Sequence, residues 1–95
     1  MVIGIIKIEL RLHEVYSLKE KRQIVKSIIE RIKSRFNASI AEVDLNDNWK
    51  STILGAACVS NDAVHVDRVL SNIANFVEND GRAVLIDFTT EKVHV

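Results

Sequence analysis

The chain has no proline, three glycines and one cysteine among its 95 residues. Nothing in it reads as a Pro- or Gly-rich linker, and its length suits a single domain spanning residues 1–95. Gly4, Gly55 and Gly81 are too scattered to build a dinucleotide-binding or nucleoside-triphosphate loop. The lone Cys58 cannot close an internal disulfide. No apolar run approaches the roughly 18 residues that a membrane span needs. Met1 to Ile6 is too short for a secretory signal and lacks its basic start. Together these absences predict a cytoplasmic protein with no membrane partner. Aromatic residues are also few. Val2–Leu12 and Ser51–Ser60 contain none, which argues against stacking of bases on those strands in the manner of RNA recognition motifs.

What is present is a globular composition, 47% apolar, with a clear order of elements. In Val2–Leu12, the residues Ile6, Ile8, Leu10 and Leu12 alternate with Lys7, Glu9 and Arg11, the period of a half-buried strand. Val2–Ile6 is apolar on both sides apart from Gly4, so that end is either covered on both faces or meets another chain. Ser39–Leu45 alternates as a second strand, and Asn46, Asp47 and Asn48 are turn formers. Ser51–Ser60 is apolar on both faces and rich in small residues, which fits a central strand paired with the second as a hairpin. Asp62–Glu78 reads as a helix with Val66, Val69, Leu70, Ile73, Phe76 and Val77 on its apolar stripe, ended by Asn79, Asp80 and Gly81. Arg82–Thr89 is the last main strand, with Val84, Ile86 and Phe88 expected on one face. Thr90–Val95 either continues it past a bulge or forms a short extra strand.

The chain is organised around its first helix, Ser17–Asn37. Ser17 followed by Glu20 is a capping box, in which the serine accepts from the first turn and the glutamate reaches back to the cap N–H. Leu18, Val25, Ile28, Ile29, Ile32 and Phe36 recur at helical spacing, and Asn37 suits a left-handed stop. Seven Lys and Arg against two Glu leave this segment at +5 within a formally neutral chain. Charge on an exposed helix face is ordinary. A local excess of one sign also produces a field that attracts an anionic partner even when the total is zero. On that second reading Lys19, Lys21, Arg22, Lys26 and Lys33 are the candidate phosphate contacts.

The order strand–helix–strand–strand–helix–strand is that of the split β-α-β, ferredoxin-like α+β sandwich. A four-stranded antiparallel sheet would carry two helices on one face, with right-handed crossovers. Its other face would stay open or meet a second copy, making a homodimer.

Catalytic chemistry finds little footing. His13, His65 and His94 fall in three different elements with no close His or Cys partner, so no metal site is expected. Cys58 lies in an apolar strand, where cysteine behaves as a small hydrophobe. Glu42 and Asp44 alternate onto one strand face and read as a solvated edge. The acylphosphatases share the topology, but their glycine-rich, arginine-bearing loop before the first helix has no counterpart at His13–Ser17. No enzymatic activity and no cofactor are expected. Trp49 fits either an aromatic lid over an open end of the core or an exposed interface anchor.

Ser17-Leu18-Lys19-Glu20-Lys21-Arg22, Arg35-Phe36-Asn37-Ala38-Ser39-Ile40-Ala41-Glu42 and Asp47-Asn48-Trp49 together resemble the small bacterial YlxP-like family, a domain family of unknown function. The resemblance spans essentially the whole chain. It implies a ferredoxin-like fold and no known catalytic residues. Members are often encoded near translation-initiation and ribosome-maturation proteins, which implies, by association, a partner in structured RNA or a ribosomal particle.

Overall fold

Along β1 (Val2–Leu12) the side chains of Ile6, Ile8, Leu10 and Leu12 are buried, while Lys7 and Arg11 between them are exposed. The computed structural model describes residues 1–95, and this alternation orients its sheet. The elements follow as α1 (Leu18–Arg35), β2 (Ser39–Asp44), β3 (Ser51–Ser60), α2 (Ala63–Glu78) and β4 (Ala83–His94). The strands lie in the order β2-β3-β1-β4, every neighbouring pair antiparallel. The small-residue strand β3 is therefore central beside β1, as its composition demands. The inward residues of the sheet and the apolar stripes of both helices form one core cluster, which leaves the other sheet face bare. Val2–Ile6 is thus covered on one side only, and Ile5 is exposed.

Two bulges adjust the strands. One shifts the β1–β4 register between Glu9 and Leu10, so that Leu10 faces Leu85 while Glu9 faces Asp87. Val84 consequently pairs with outward Arg11 and Phe88 with inward Ile8. The expected common face for Val84 and Phe88 is broken by the one-residue slip, because the side-chain period of a strand is two. β4 then runs unbroken to His94. The second bulge lies in β2 between Glu42 and Asp44. Leu45, expected as the last strand residue, instead adopts φ +59° and starts the turn.

Both helix starts follow the sequence. Ser17 is extended and its Oγ accepts from Glu20 N at 3.1 Å. Glu20 Oε2 accepts from Tyr16 N at 2.9 Å, one residue before the expected cap N–H. Asp62 Oδ1 accepts from Val64 N at 2.9 Å and caps α2. The end of α1 differs from the expected left-handed Asn37. Phe36 is extended at φ −125°, its N–H still bonded to Ile32 O, and its ring meets Phe76 edge-on at 5.8 Å. Packing of that aromatic pair leads the chain straight into β2.

Helix α2 sits close on the sheet at Gly4. A Cβ there would lie 2.3 Å from Val66 Cγ1 and 3.3 Å from Cys58 Sγ, so only glycine permits the approach.

Candidate nucleic-acid interface

The apolar steps along α1 are Leu18, Val25, Ile28 and Ile32, and the position completing the seam between Leu18 and Val25 is Lys21. Lys21 is fully buried. Its Nζ lies 2.6 Å from Glu42 Oε2 and donates to the carbonyls of Leu45 at 2.9 Å and Asn46 at 3.2 Å. Thr52, also fully buried, donates its hydroxyl to the same carboxylate oxygen. Three donors on the ammonium thus have three acceptors, which is what a buried cation requires. Lys21 is therefore removed from the set of phosphate contacts: it is core, and no anion can reach it. Glu42 is equally not the solvated edge carboxylate that alternation suggested, because the β2 strand turns it onto the helix side, opposite Leu54.

The other four candidates are exposed. Lys19, Arg22, Lys26 and Lys33 fall within an arc of about 60° at 100° per residue and run along about 21 Å of helix. Lys19, Lys26 and Lys33 enter no ion pair, and Arg22 stands 3.8 Å from Asp47 with both side chains solvated. Glu30 borders the arc and dilutes its charge. This ridge lies on the flank of α1 away from α2. On the α2 side Arg31 donates to Asp80 Oδ2 at 2.7 Å, and Ser27 accepts from Arg82 at 3.0 Å. The Asp80 side chain is buried between Arg31 and Arg82, and hydrogen bonding to Arg82 holds its carboxyl below the usual range. Arg31 and Arg35 also place their guanidinium groups over the Phe76 ring, at 5.4 and 5.3 Å. Seven basic residues on one helix thus divide into a structural set and a free ridge.

Sequence reasoning missed this division for Lys21. The signal that could have found it is the 18-21-25-28-32 step pattern, in which a lysine occupies a core position and calls for a carboxylate partner. Trp49 is 39% exposed and carries Lys50 Nζ 4.9 Å from its ring centroid, so it is not a sealed lid. Asn48 Oδ1 accepts from the N–H groups of Lys50 and Ser51, which fixes the turn around it.

Elsewhere, Cys58 is buried, and desolvation pushes its thiol above the ordinary range. No group of three or more His, Cys, Asp or Glu converges closely enough to hold a metal ion. No helix is long and apolar enough to cross a membrane.

The element order, the antiparallel sheet in the order β2-β3-β1-β4 and the two helices on one face define a ferredoxin-like α+β sandwich. Solved structures share that architecture at low sequence identity. The de novo designed protein Foldit4 is 14% identical with a TM-score of 0.52, covering 98% of each chain. A putative chlorite dismutase, TA0507, is 16% identical with a TM-score of 0.57, covering 97% of this chain and 44% of its own. The chain belongs to the family described as Protein of unknown function (DUF503), which matches residues 3–90. The uncharacterized protein YlxP of Bacillus subtilis (strain 168) is 35% identical over 78 residues, 82% of this chain and 85% of that protein. The resemblance read from the sequence is therefore the family itself.

Proposed function

We propose that this protein is a non-enzymatic accessory factor that binds structured RNA, alone or within a ribosomal particle, through the outer flank of α1. One observation carries the reading. Lys19, Arg22, Lys26 and Lys33 stay solvated along one flank while Lys21 and Arg31 are tied into the fold. A formally neutral chain that sets its free cations in a row presents a polyanion with a local positive field. Such contacts position a phosphate backbone without reading its sequence, and they are steeply salt dependent. The test is binding of a structured RNA and of ribosomal subunits across a salt series. Lys19, Arg22 and Lys26 replaced together by Glu should abolish most of the affinity. Unchanged affinity of that variant at low salt would reject the ridge.

A second reading, a homodimer through the bare sheet face, rests on the β1–β3–β4 register. Ile3 lies between Val59 and Val93, which makes one end of that face apolar, while the next outward residue, Ile5, lies between Ala57 and Glu91, so a charge borders the patch. Val59 is 64% exposed there, and contiguous exposed apolar surface commonly meets a partner. Sedimentation should then show a dimer that Ile5→Glu with Val59→Glu dissociates. A monomer at high concentration would discard this reading.

A further inference from the structure

Beyond the N-terminal end of α1 the chain leaves a second feature that charge alone does not explain. The β1–α1 connection and the β2–β3 turn meet around a depression of about 300 Å³. Arg11, Glu14, Tyr16, Trp49 and Lys50 line it, with buried Val15. It holds two of the five aromatic residues of the chain, and both are open to solvent, Tyr16 at 75% and Trp49 at 39%. Both are held by their backbones. Tyr16 N donates to Glu20, Asn48 pins the residues after Trp49, and Leu12 N donates to Lys50 O at 2.8 Å. Tyr and Trp present a large rigid face on only two side-chain torsions, so ordering them against a stacked group costs little entropy.

The depression adjoins the basic ridge. Arg22 of the ridge faces Asp47 of the same turn, and Tyr16 directly precedes the Ser17 cap of α1. Around the rings stand two exposed cations, Arg11 and Lys50, and one carboxylate, Glu14. Glu14 disfavours a phosphate inside the depression, whereas Arg11 and Lys50 favour phosphates at its rim. Aromatic faces beside cations are what single-stranded nucleic acid uses, because every base has a π-face.

We propose that this depression receives an unpaired base of the RNA bound along α1, stacked against Trp49 and Tyr16, with flanking phosphates met by Lys50 and Arg11. The proposal rests on the ridge reading and adds the ligand class, a duplex with an adjoining unpaired nucleotide. It also moves stacking off the sheet, whose central strands carry no aromatic residue, to the end of the molecule.

The experiment compares a blunt RNA hairpin with the same hairpin bearing a short unpaired adenosine extension. Trp49, the only tryptophan, serves as the fluorescent reporter. The extended RNA should bind about tenfold more tightly and quench Trp49 emission, a factor within the range for one stacked base. Trp49→Ala and, independently, Tyr16→Ala should remove the preference while leaving blunt-hairpin affinity in place. Trp49→Phe should retain most of it. Equal affinity for the two RNAs with unchanged Trp49 emission would overturn the stacking proposal and leave the ridge reading standing. Failure of both RNAs to bind at low salt would overturn both.

Discussion

Lys21 Nζ and Glu42 Oε2 lie 2.6 Å apart beneath the first turns of α1, in the most basic segment of the chain, yet this pair faces the core and not a ligand. The ammonium also bonds the carbonyls of Leu45 and Asn46, where the chain leaves β2 with Leu45 at positive φ. One side chain thereby ties the helix to the turn that carries Asp47 and Trp49. The interaction is internal scaffolding for both surfaces proposed as RNA contacts.

Lys21→Met should therefore destabilise the fold by about 3 kcal/mol, because it leaves Glu42 buried without its counter-charge. Urea unfolding followed by circular dichroism measures this. Glu42→Leu should cost a similar amount. The double variant should lose less than the two singles combined, since each single is penalised for the orphan it leaves. Strict additivity would mean that the two groups act independently.

Gly4 offers a steric test of how α2 is seated. Gly4→Ala forces a methyl to within 2.3 Å of Val66 Cγ1, an overpacking that should cost about 2 kcal/mol. Val66→Ala removes the obstructing methyls and by itself leaves a cavity. Combined, the smaller side chain at position 66 should accommodate the methyl added at position 4, so the double variant should be more stable than additivity predicts. Thermal unfolding of the four proteins decides the matter.

These two sites mark where sequence reading succeeds and stops. Alternation in β1 and helical spacing in α2 put Ile6, Ile8, Leu70 and Ile73 in the core, since periodicity is local and burial follows it. The caps at Ser17 and Asp62 are legible for the same reason. The core position of Lys21 shows in the helical spacing, but its partners do not, because Glu42 and Thr52 arrive from two strands remote in sequence. The faces of Val84 and Phe88 escape alternation because a bulge changes the period without a local marker. Trp49 and Tyr16 are legible as residues and not as neighbours, since the topology alone brings their loops together.

Acid should act through Asp80. Its folded-state carboxyl titrates below the unfolded value of about 3.9, held down chiefly by the hydrogen bonds from Arg82. The stability this provides is fully present above the unfolded value and is lost as pH falls through the folded one. Asp80→Asn should lower stability by about 2 kcal/mol at neutral pH, where it weakens charge-assisted bonds to Arg31 and Arg82. Below about pH 4 the difference between the two proteins should shrink, first as Asp80 protonates in the unfolded wild-type chain and then, at lower pH, as it protonates in the folded one. Denaturation midpoints from pH 2 to 7 give the curve, and a constant gap across that range would remove Asp80 from the acid response.

The ridge and the structural cations should separate cleanly when each is neutralised. Lys19→Gln, Lys26→Gln and Lys33→Gln remove solvated charges that hold nothing in the fold, so unfolding midpoints should stay near wild type. Each of these substitutions should flatten the slope of log affinity against log salt by about 1, the share of one neutralised phosphate. Arg31→Gln should do the reverse. Its guanidinium is committed to Asp80 and stacked over Phe76, so stability drops while the salt slope for RNA barely moves. Isothermal titration at four salt concentrations, with unfolding measured in parallel, reads both quantities on the same samples. If Arg31→Gln flattened the salt slope as much as Lys26→Gln, RNA would span both flanks of α1, and the assignment of phosphates to the outer flank alone would be wrong.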